Sequence, residues 1–508
     1  MNIQDAKKQV KDTVEAYLAK DEDGMYAIAP ARQRPLFLIG APGIGKTAIM
    51  EQIASELGIG LVSYSMTHHT RQSALGLPKI VHEQFEDLEY DASEYTMSEI
   101  IASLYSYMRE TGLRRGILFL DEINCVSETL YPSMLQFLQF KTFGKHRVPD
   151  DWIVVCAGNP PEYNRSVHEF DIVTLDRLRK IEIEPEYAAW RAYAQETGIH
   201  PAISTYLEVK RDDFYSVETK PGSKAFVTAR GWSDLSEVIT LFEKLGKDVD
   251  LALISQFLQD NGVAERFAVY YDLFNKYRSD YQVDRILAGD MPAEIVERGQ
   301  NADFDERIAL VGLMLDTLET EMRGLVNEES LTIMLRDVLR EAKQPILDGS
   351  NAVDVLQEVI ADKEREIAQG GAVSSTPTQA MRLNIRLVEA LKGLCALVTT
   401  ERSPEGEAAF ALISQSYAER VAGLEPASTH IEEMLANAYT YLDLAFGNDR
   451  EALVFTAELT SRAVTSRYIN RFGSPAYYAH NDNVLVDRHR QSLFARIDEA
   501  GLEAEDEK

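Results

Sequence analysis

Five short apolar runs mark the first 185 residues: "LFLIG" at 36–40, "LVSYS" at 61–65, "GILFLD" at 116–121, "WIVVCAG" at 152–158 and "KIEIE" at 180–184. Each is nearly continuous in β-favourable residues, as strands covered on both faces should be, although periodicity alone leaves a buried helix open for any one of them. Longer helix-patterned segments separate the runs. The alternation predicts an α/β core at 35–185, a five-stranded parallel sheet layered between helices, preceded at 1–34 by an N-terminal helix and lead-in.

From 186 to 258 the pattern turns helical, in "PEYAAWRAYAQETG" and "WSDLSEVITLFEKLG", with no clear strand alternation; this predicts a small helical lid. Beyond it, "DERIALVGLMLDTLETEMRGLV", "NAVDVLQEVIADKEREIAQ", "MRLNIRLVEALKGLCALVTTE" and "HIEEMLANAYTYLDLAFG" place apolar residues at helical spacing with charge opposite. Residues 259–508 therefore read as a large all-α region, with "GGAVSSTPTQ" at 370–379 as the best place for a split. The acidic end "LEAEDEK" reads as frayed.

Composition changes the picture in two ways. The 508 residues are 45% hydrophobic, enough for a large buried core, and 52 Lys and Arg against 82 Asp and Glu leave a formal charge of −30. A phosphate backbone is repelled by most of such a surface, so nucleic acid is not the expected partner. The spacings of Cys125, Cys156 and Cys395 suit neither a CxxC pair nor a zinc ligand set, which fits a reducing compartment. The N-terminal segment lacks the apolar core of a signal peptide and no run reaches the roughly 18 residues of a membrane span, so a cytoplasmic address is expected. The sequon at Asn164 is then chance composition.

The chemistry begins at the end of the first run. Gly40, Gly45, Lys46 and Thr47 fit G-x-x-x-x-G-K-[ST] between a strand and a helix, the context its mechanism requires. Glycines let the backbone N–H groups curl inward toward phosphate, and the next helix adds its positive end. Lys46 would reach the β and γ phosphates and the Thr47 hydroxyl a magnesium ion. "GILFLDEIN" then delivers Asp121 and Glu122 to the carboxyl edge of the sheet, where open α/β sheets bind ligands. Asp121 suits the metal, and Glu122 suits the water that attacks the γ phosphate.

Asn159, just past the fourth run, is placed to orient water or touch the γ phosphate, or else to cap the turn before Pro160 and Pro161. In "TLDRLRK", Arg177 and Arg179 offer a guanidinium to a neighbouring subunit's nucleotide, or else a surface ion pair. Arg230, opening a helix in "FVTARGWSDLSE", is positioned to close over the nucleotide from the lid, or else to form a structural pair. His68 and His69 have no further ligand at metal spacing and read as loop residues. The aromatic pairs "VYYDLF" and "AYYAH" read first as core.

In this order "GAPGIGKT", "ILFLDEIN", "AGNPPEYN", "LDRL" and "TARGW" resemble an AAA+ ATPase of the MoxR-like family, over roughly residues 30–258. "KTFGKHRV" at 141–148 resembles the hairpin this branch carries before sensor 1, and "SALGLP" at 73–78 the start of its helix-2 insertion. The resemblance implies ATP and Mg2+ bound at interfaces of a homo-oligomeric, commonly hexameric ring. It implies that Gly40, Ala41, Pro42, Gly43, Ile44, Gly45, Lys46, Thr47 and Ala48 form the nucleotide-binding stretch, with Thr47 and Asp121 at the metal. Asp121 and Glu122 would be the Walker B pair, Asn159 sensor 1, Arg230 sensor 2 and Arg177 the arginine finger. Here Leu178 stands where the family has Phe and Arg179 follows, so Arg177 and Arg179 both stay in play.

Such proteins remodel or chaperone a protein partner, often in metal-cofactor insertion or complex assembly and beside a von Willebrand factor A domain. "DGSNA" at 348–352 does not fit that domain's D-x-S-x-S motif, so such a partner would be a separate chain. A second reading is a slow ATP-dependent switch or scaffold with the helical half as its interaction module. A nucleic-acid motor conflicts with the charge.

Overall fold

The computed structural model describes residues 1–68, 74, 76–85, 88–143, 145–163, 167–220, 223–373, 379–400, 406–447 and 450–481. His69, Asn164, the middle of the 370–379 stretch, part of the 73–78 segment and the acidic end lie outside them. The five apolar runs form strands within a residue of their expected bounds: β1 Leu36–Gly40, β2 Gly60–Ser65, β3 Gly116–Asp121, β4 Trp152–Gly158 and β5 Arg179–Ile183. They make one parallel sheet in the order β2-β3-β4-β1-β5.

Successive side chains of a strand face opposite layers, and β3 shows both. Ile117 and Phe119 join the core beneath α1 (Ile3–Leu18) and α2 (Lys46–Leu57), where Val10, Val14, Met50 and Ile53 are buried. Leu118 and Leu120 join the opposite core with Ile100 and Leu104 of α3 (Glu99–Thr111) and Phe137 of α4 (Tyr131–Phe140). Because β1 lies between β4 and β5, its carboxyl end opens beside theirs. Ile39 is registered with Gly158, and Gly40 with Ile183.

Among the described residues three antiparallel hairpins lie outside this sheet, two of them not expected from the sequence. Pro78–Phe85 pairs with Leu88–Tyr95, and Thr142–Phe143 with His146–Arg147 inside the stretch expected to form a hairpin. Ser216–Lys220 pairs with Ser223–Val227 within the lid, which corrects the expectation of a lid without strands. The first of these stands out from the core, with Ile80 73% exposed, so it has no buried face to impose an apolar run.

The C-terminal half is helical, as its periodicity predicts. Its spine is one helix of 44 residues, Phe304–Leu347, about 66 Å long at 1.5 Å per residue. The first part of this spine shares a continuous core with the lid: Leu310, Met314 and Leu318 cluster with Trp190, Tyr206 and Trp232 of the lid and with Tyr439 and Phe455. Lid packing thus continues past residue 258. The second part, from Leu331 to Ile346, belongs to a separate core with Leu356, Leu391 and Ile413. The helix Ala352–Val373 of that distal bundle turns back to touch α2 and β2.

Cys125, Cys156 and Cys395 are free thiols. Among the described residues no helix is long and apolar enough to cross a membrane.

Candidate active site

The loop leaving β1 needs its glycines for separate reasons. A Cβ at Gly40 would lie 2.5 Å from the Ile183 carbonyl oxygen, so β5 can approach only if that position is bare. Gly43 and Gly45 have φ of 72° and 96°, the left-handed region that curls the loop inward. α2 begins at the next residue, so its positive N-terminal end faces the space the loop encloses.

Lys46 is 8% exposed, and its Nζ donates to the carbonyls of Gly40 and Ala41 at 2.8 and 2.9 Å and to Asn159 Oδ1 at 2.9 Å. Burial pushes its pKa down to about 8; Asp121 and Glu122 work against the fall and the nearby Arg230 adds to it. A buried ammonium without a full counter-charge is what an anionic phosphate would relieve.

The depressed pKa carries a sign. Between about 8 and the ordinary value of 10.5 the unfolded chain binds more protons at Lys46 than the folded one, so the penalty felt at pH 7 fades as pH rises. Nucleotide-free protein should therefore gain about 2 kcal/mol relative to Lys46→Met between pH 7 and 9.5. Paired thermal unfolding across that range tests this; a difference that stays flat would contradict the desolvation.

The two carboxylates at the end of β3 have different surroundings. Asp121 Oδ2 accepts from the Thr47 hydroxyl at 3.2 Å, while its Oδ1 accepts from the Glu122 amide at 2.9 Å. Glu122 itself sits at φ 55°, a turned backbone that sends its side chain toward β2. There its Oε2 accepts from the hydroxyls of Ser65 and Thr67 at 3.2 and 3.1 Å. Neither hydroxyl stands out in the sequence, because only the pairing of β2 with β3, which registers Ser65 with Asp121, brings them to the carboxylate.

The three arginines are used differently. Arg179 is committed within its own chain: it donates to Thr13 Oγ1 at 2.8 Å and Gln9 Oε1 at 3.2 Å, both on α1. Arg177 is exposed, and among the described residues its guanidinium has no hydrogen bond or ion pair. It follows the short helix Ile172–Leu175, capped by Asp171, whose side chain accepts from the Thr174 amide at 2.7 Å. Hydrogen bonding from the Thr174 side chain, then from its amide, with a smaller contribution from the Arg177 charge, holds the Asp171 carboxyl below its usual range.

Arg230 opens the lid helix Ala229–Lys244, and its amide donates to the Gly43 carbonyl at 3.1 Å. A Cβ at Gly43 would meet Thr228, the helix's N-cap, at 2.9 Å. Tyr215 adds a second tie, its hydroxyl donating to the Pro42 carbonyl at 3.0 Å. The lid is thus seated directly on the phosphate loop. Tyr215 and Thr228 were also missed, since a residue distant in sequence reaches the loop only through the fold.

The structure brings Lys46, Thr47, Asp121, Glu122, Asn159 and the Arg230 end of the lid helix to one edge of the sheet, and leaves Arg177 and Arg179 away from it. The set suits a nucleotide with a divalent ion. Thr47 and Asp121 present a hydroxyl and a carboxylate in contact, hard oxygen donors of the kind magnesium takes along with water and phosphate. Among the described residues no cluster of three or more His, Cys, Asp or Glu could hold a metal.

Residues 36–166 match the family described as ATPase family associated with various cellular activities (AAA). The chain is also 24% identical over 270 residues to the replication factor C large subunit of Thermococcus kodakarensis, a match taking in 53% of this chain and 46% of the relative, so the chain aligns with under half of the relative's length. Both matches support an AAA-type ATPase domain that binds nucleotide.

Proposed function

We propose that residues 36–258 form a Mg-dependent, MoxR-like ATPase whose site is completed by a second copy of the chain. The observation that carries this reading is the contrast between the polar groups gathered around Lys46 and Asp121, and Arg177, which is exposed and among the described residues makes no hydrogen bond or ion pair.

In this reading the loop amides and Lys46 hold the phosphates, and Lys46 exchanges its carbonyl partners for them. Thr47 and Asp121 would hold the ion, which when bound neutralises charge on the β and γ oxygens. Glu122, released from Ser65 and Thr67, accepts the proton of the attacking water. Asn159 follows the γ phosphate through its contact with Lys46. Arg230 reports the same event to the lid. Arg177 of one copy stabilises the transition-state charge in the next, which favours a closed ring, commonly hexameric in such proteins.

The work done is then the remodelling of a protein client, in complex assembly or metal-cofactor insertion, with any von Willebrand factor A protein supplied as a separate chain. The distal helical bundle is the part left to choose the client. A formal charge of −30 argues against direct work on nucleic acid.

ATP hydrolysis per subunit across a dilution series, with assembled mass recorded in parallel, tests the proposal. Turnover should rise with assembly. Turnover that is absent at every concentration, or independent of assembly, would favour the second reading, a slow nucleotide-dependent switch.

A further inference from the structure

Asn124 lies in the single turn Ile123–Cys125 just after the carboxylate pair, and is 2% exposed. Its Nδ2 donates to the Asn159 carbonyl at 2.9 Å, and its own carbonyl accepts from the His168 amide at 2.7 Å. One buried residue thus grips the chain at Asn159, where β4 ends, and at His168, where the approach to Arg177 begins.

Both grips connect to chemistry. On one side the Asn159 side chain accepts from Lys46. On the other, the segment after His168 is fixed rather than loose: the rings of Tyr131 and His168 lie 5.2 Å apart, Phe170 stacks on Tyr131 at 6.0 Å and packs on Phe37 of β1 at 5.1 Å. Asp171 then caps the helix that leads to Arg177.

Two details show that the site is built around this residue. Among the described residues the buried Asn124 Oδ1 has no hydrogen-bond partner, a cost that an apolar side chain of similar volume would avoid. A Cβ at position 158 would lie 2.4 Å from that oxygen, so the approach exists only because the strand ends in Gly158.

We infer that Asn124 is a positioning residue that links the phosphate-sensing end of β4 to the segment bearing Arg177, so that nucleotide bound in one copy sets the placement of the arginine offered to its neighbour. The inference rests on the proposed ATPase function. A phosphate that draws Lys46 away from Asn159 removes a donor from one end of the link, and Asn124 passes the resulting shift of the Asn159 carbonyl to His168.

Amide hydrogen exchange on the full chain, with and without a non-hydrolysable ATP analogue, tests it. In the wild type, nucleotide should change exchange by about fivefold or more both in residues 40–48 and in 168–178. Asn124→Ala should bind the analogue within about threefold of wild type and keep the response at 40–48, but lose it at 168–178. Asn124→Asp, which keeps the shape and removes the donor, serves if the alanine variant does not fold.

A wild-type-like response at 168–178 in the variant would overturn the link and leave Asn124 a merely structural residue. A wild-type segment that stays silent with analogue bound would overturn it too. Failure of the wild type to bind any nucleotide would sink the ATPase reading itself, and the link with it.

Discussion

Replacing Arg177 by alanine should lower ATP turnover by about 10³-fold or more while leaving assembly and nucleotide affinity nearly intact. The reason is geometric: among the described residues the guanidinium makes no hydrogen bond or ion pair and only a minor charge contribution at Asp171, so its removal should cost the fold little, and in the proposed reading it is the charge a neighbouring site lacks. Arg179→Ala should behave in the opposite way. That side chain holds Thr13 and Gln9 of α1, so its loss should cost about 1–3 kcal/mol of stability with turnover little changed. Turnover, assembled mass and thermal unfolding of both variants decide the matter. If Arg179→Ala assembled normally and lost turnover while Arg177→Ala kept it, the assignment would be reversed.

Glu122→Gln should lower the hydrolytic rate by about 10² to 10⁴-fold and leave ATP binding intact, because the amide keeps the shape of the side chain and cannot take a proton. Its two hydroxyl partners, Ser65 and Thr67, can donate to the amide oxygen as they do to the carboxylate, so the resting position should be preserved. Retained nucleotide after single-turnover incubation is the measurement. The variant also separates the two functional readings: a remodelling motor loses its effect on a client with Gln at this position, whereas a switch that needs only bound ATP keeps it.

The sheet was legible because its strands are buried on both faces. Trp152–Gly158 is buried throughout, and a run such as "WIVVCAG" has little reason to exist elsewhere. The same logic explains the miss at 78–95, where a hairpin with exposed side chains obeys no core and writes no pattern. The helices of the C-terminal half were legible one by one. That Phe304 to Leu347 is a single rod is not legible, because its apolar face changes core near residue 328 and no single periodic stretch spans the change.

At the site, the groups proposed to touch nucleotide are legible from spacing, since Lys46, Thr47, Asp121 and Glu122 are close in sequence to a strand end. The groups that hold them are not. Ser65, Tyr215 and Thr228 come from three separate segments that only the sheet order and the seating of the lid bring near, and Asn124, though it closes the stretch "GILFLDEIN", finds its partners Asn159 and His168 only through the fold. The resemblance points to Arg177 and leaves Arg179 open beside it. Both are exposed, and what distinguishes their surroundings is α1, whose Thr13 and Gln9 accept from the Arg179 guanidinium.

The long helix makes the lid one arm of a lever. Its near part is locked into the lid core and its far part into the distal bundle, so a rigid tilt of about 5° at the lid would sweep the far end of a roughly 66 Å rod by about 6 Å, one helical pitch. That end is not free to swing. The Ala352–Val373 helix rests on α2, the helix that starts at Lys46, which closes a mechanical circuit from phosphate loop to lid to rod and back to the same loop. A small rotation of the lid would therefore be felt as a much larger displacement at the far contact, and a displacement of the distal bundle would bear on α2 directly through the Ala352–Val373 helix.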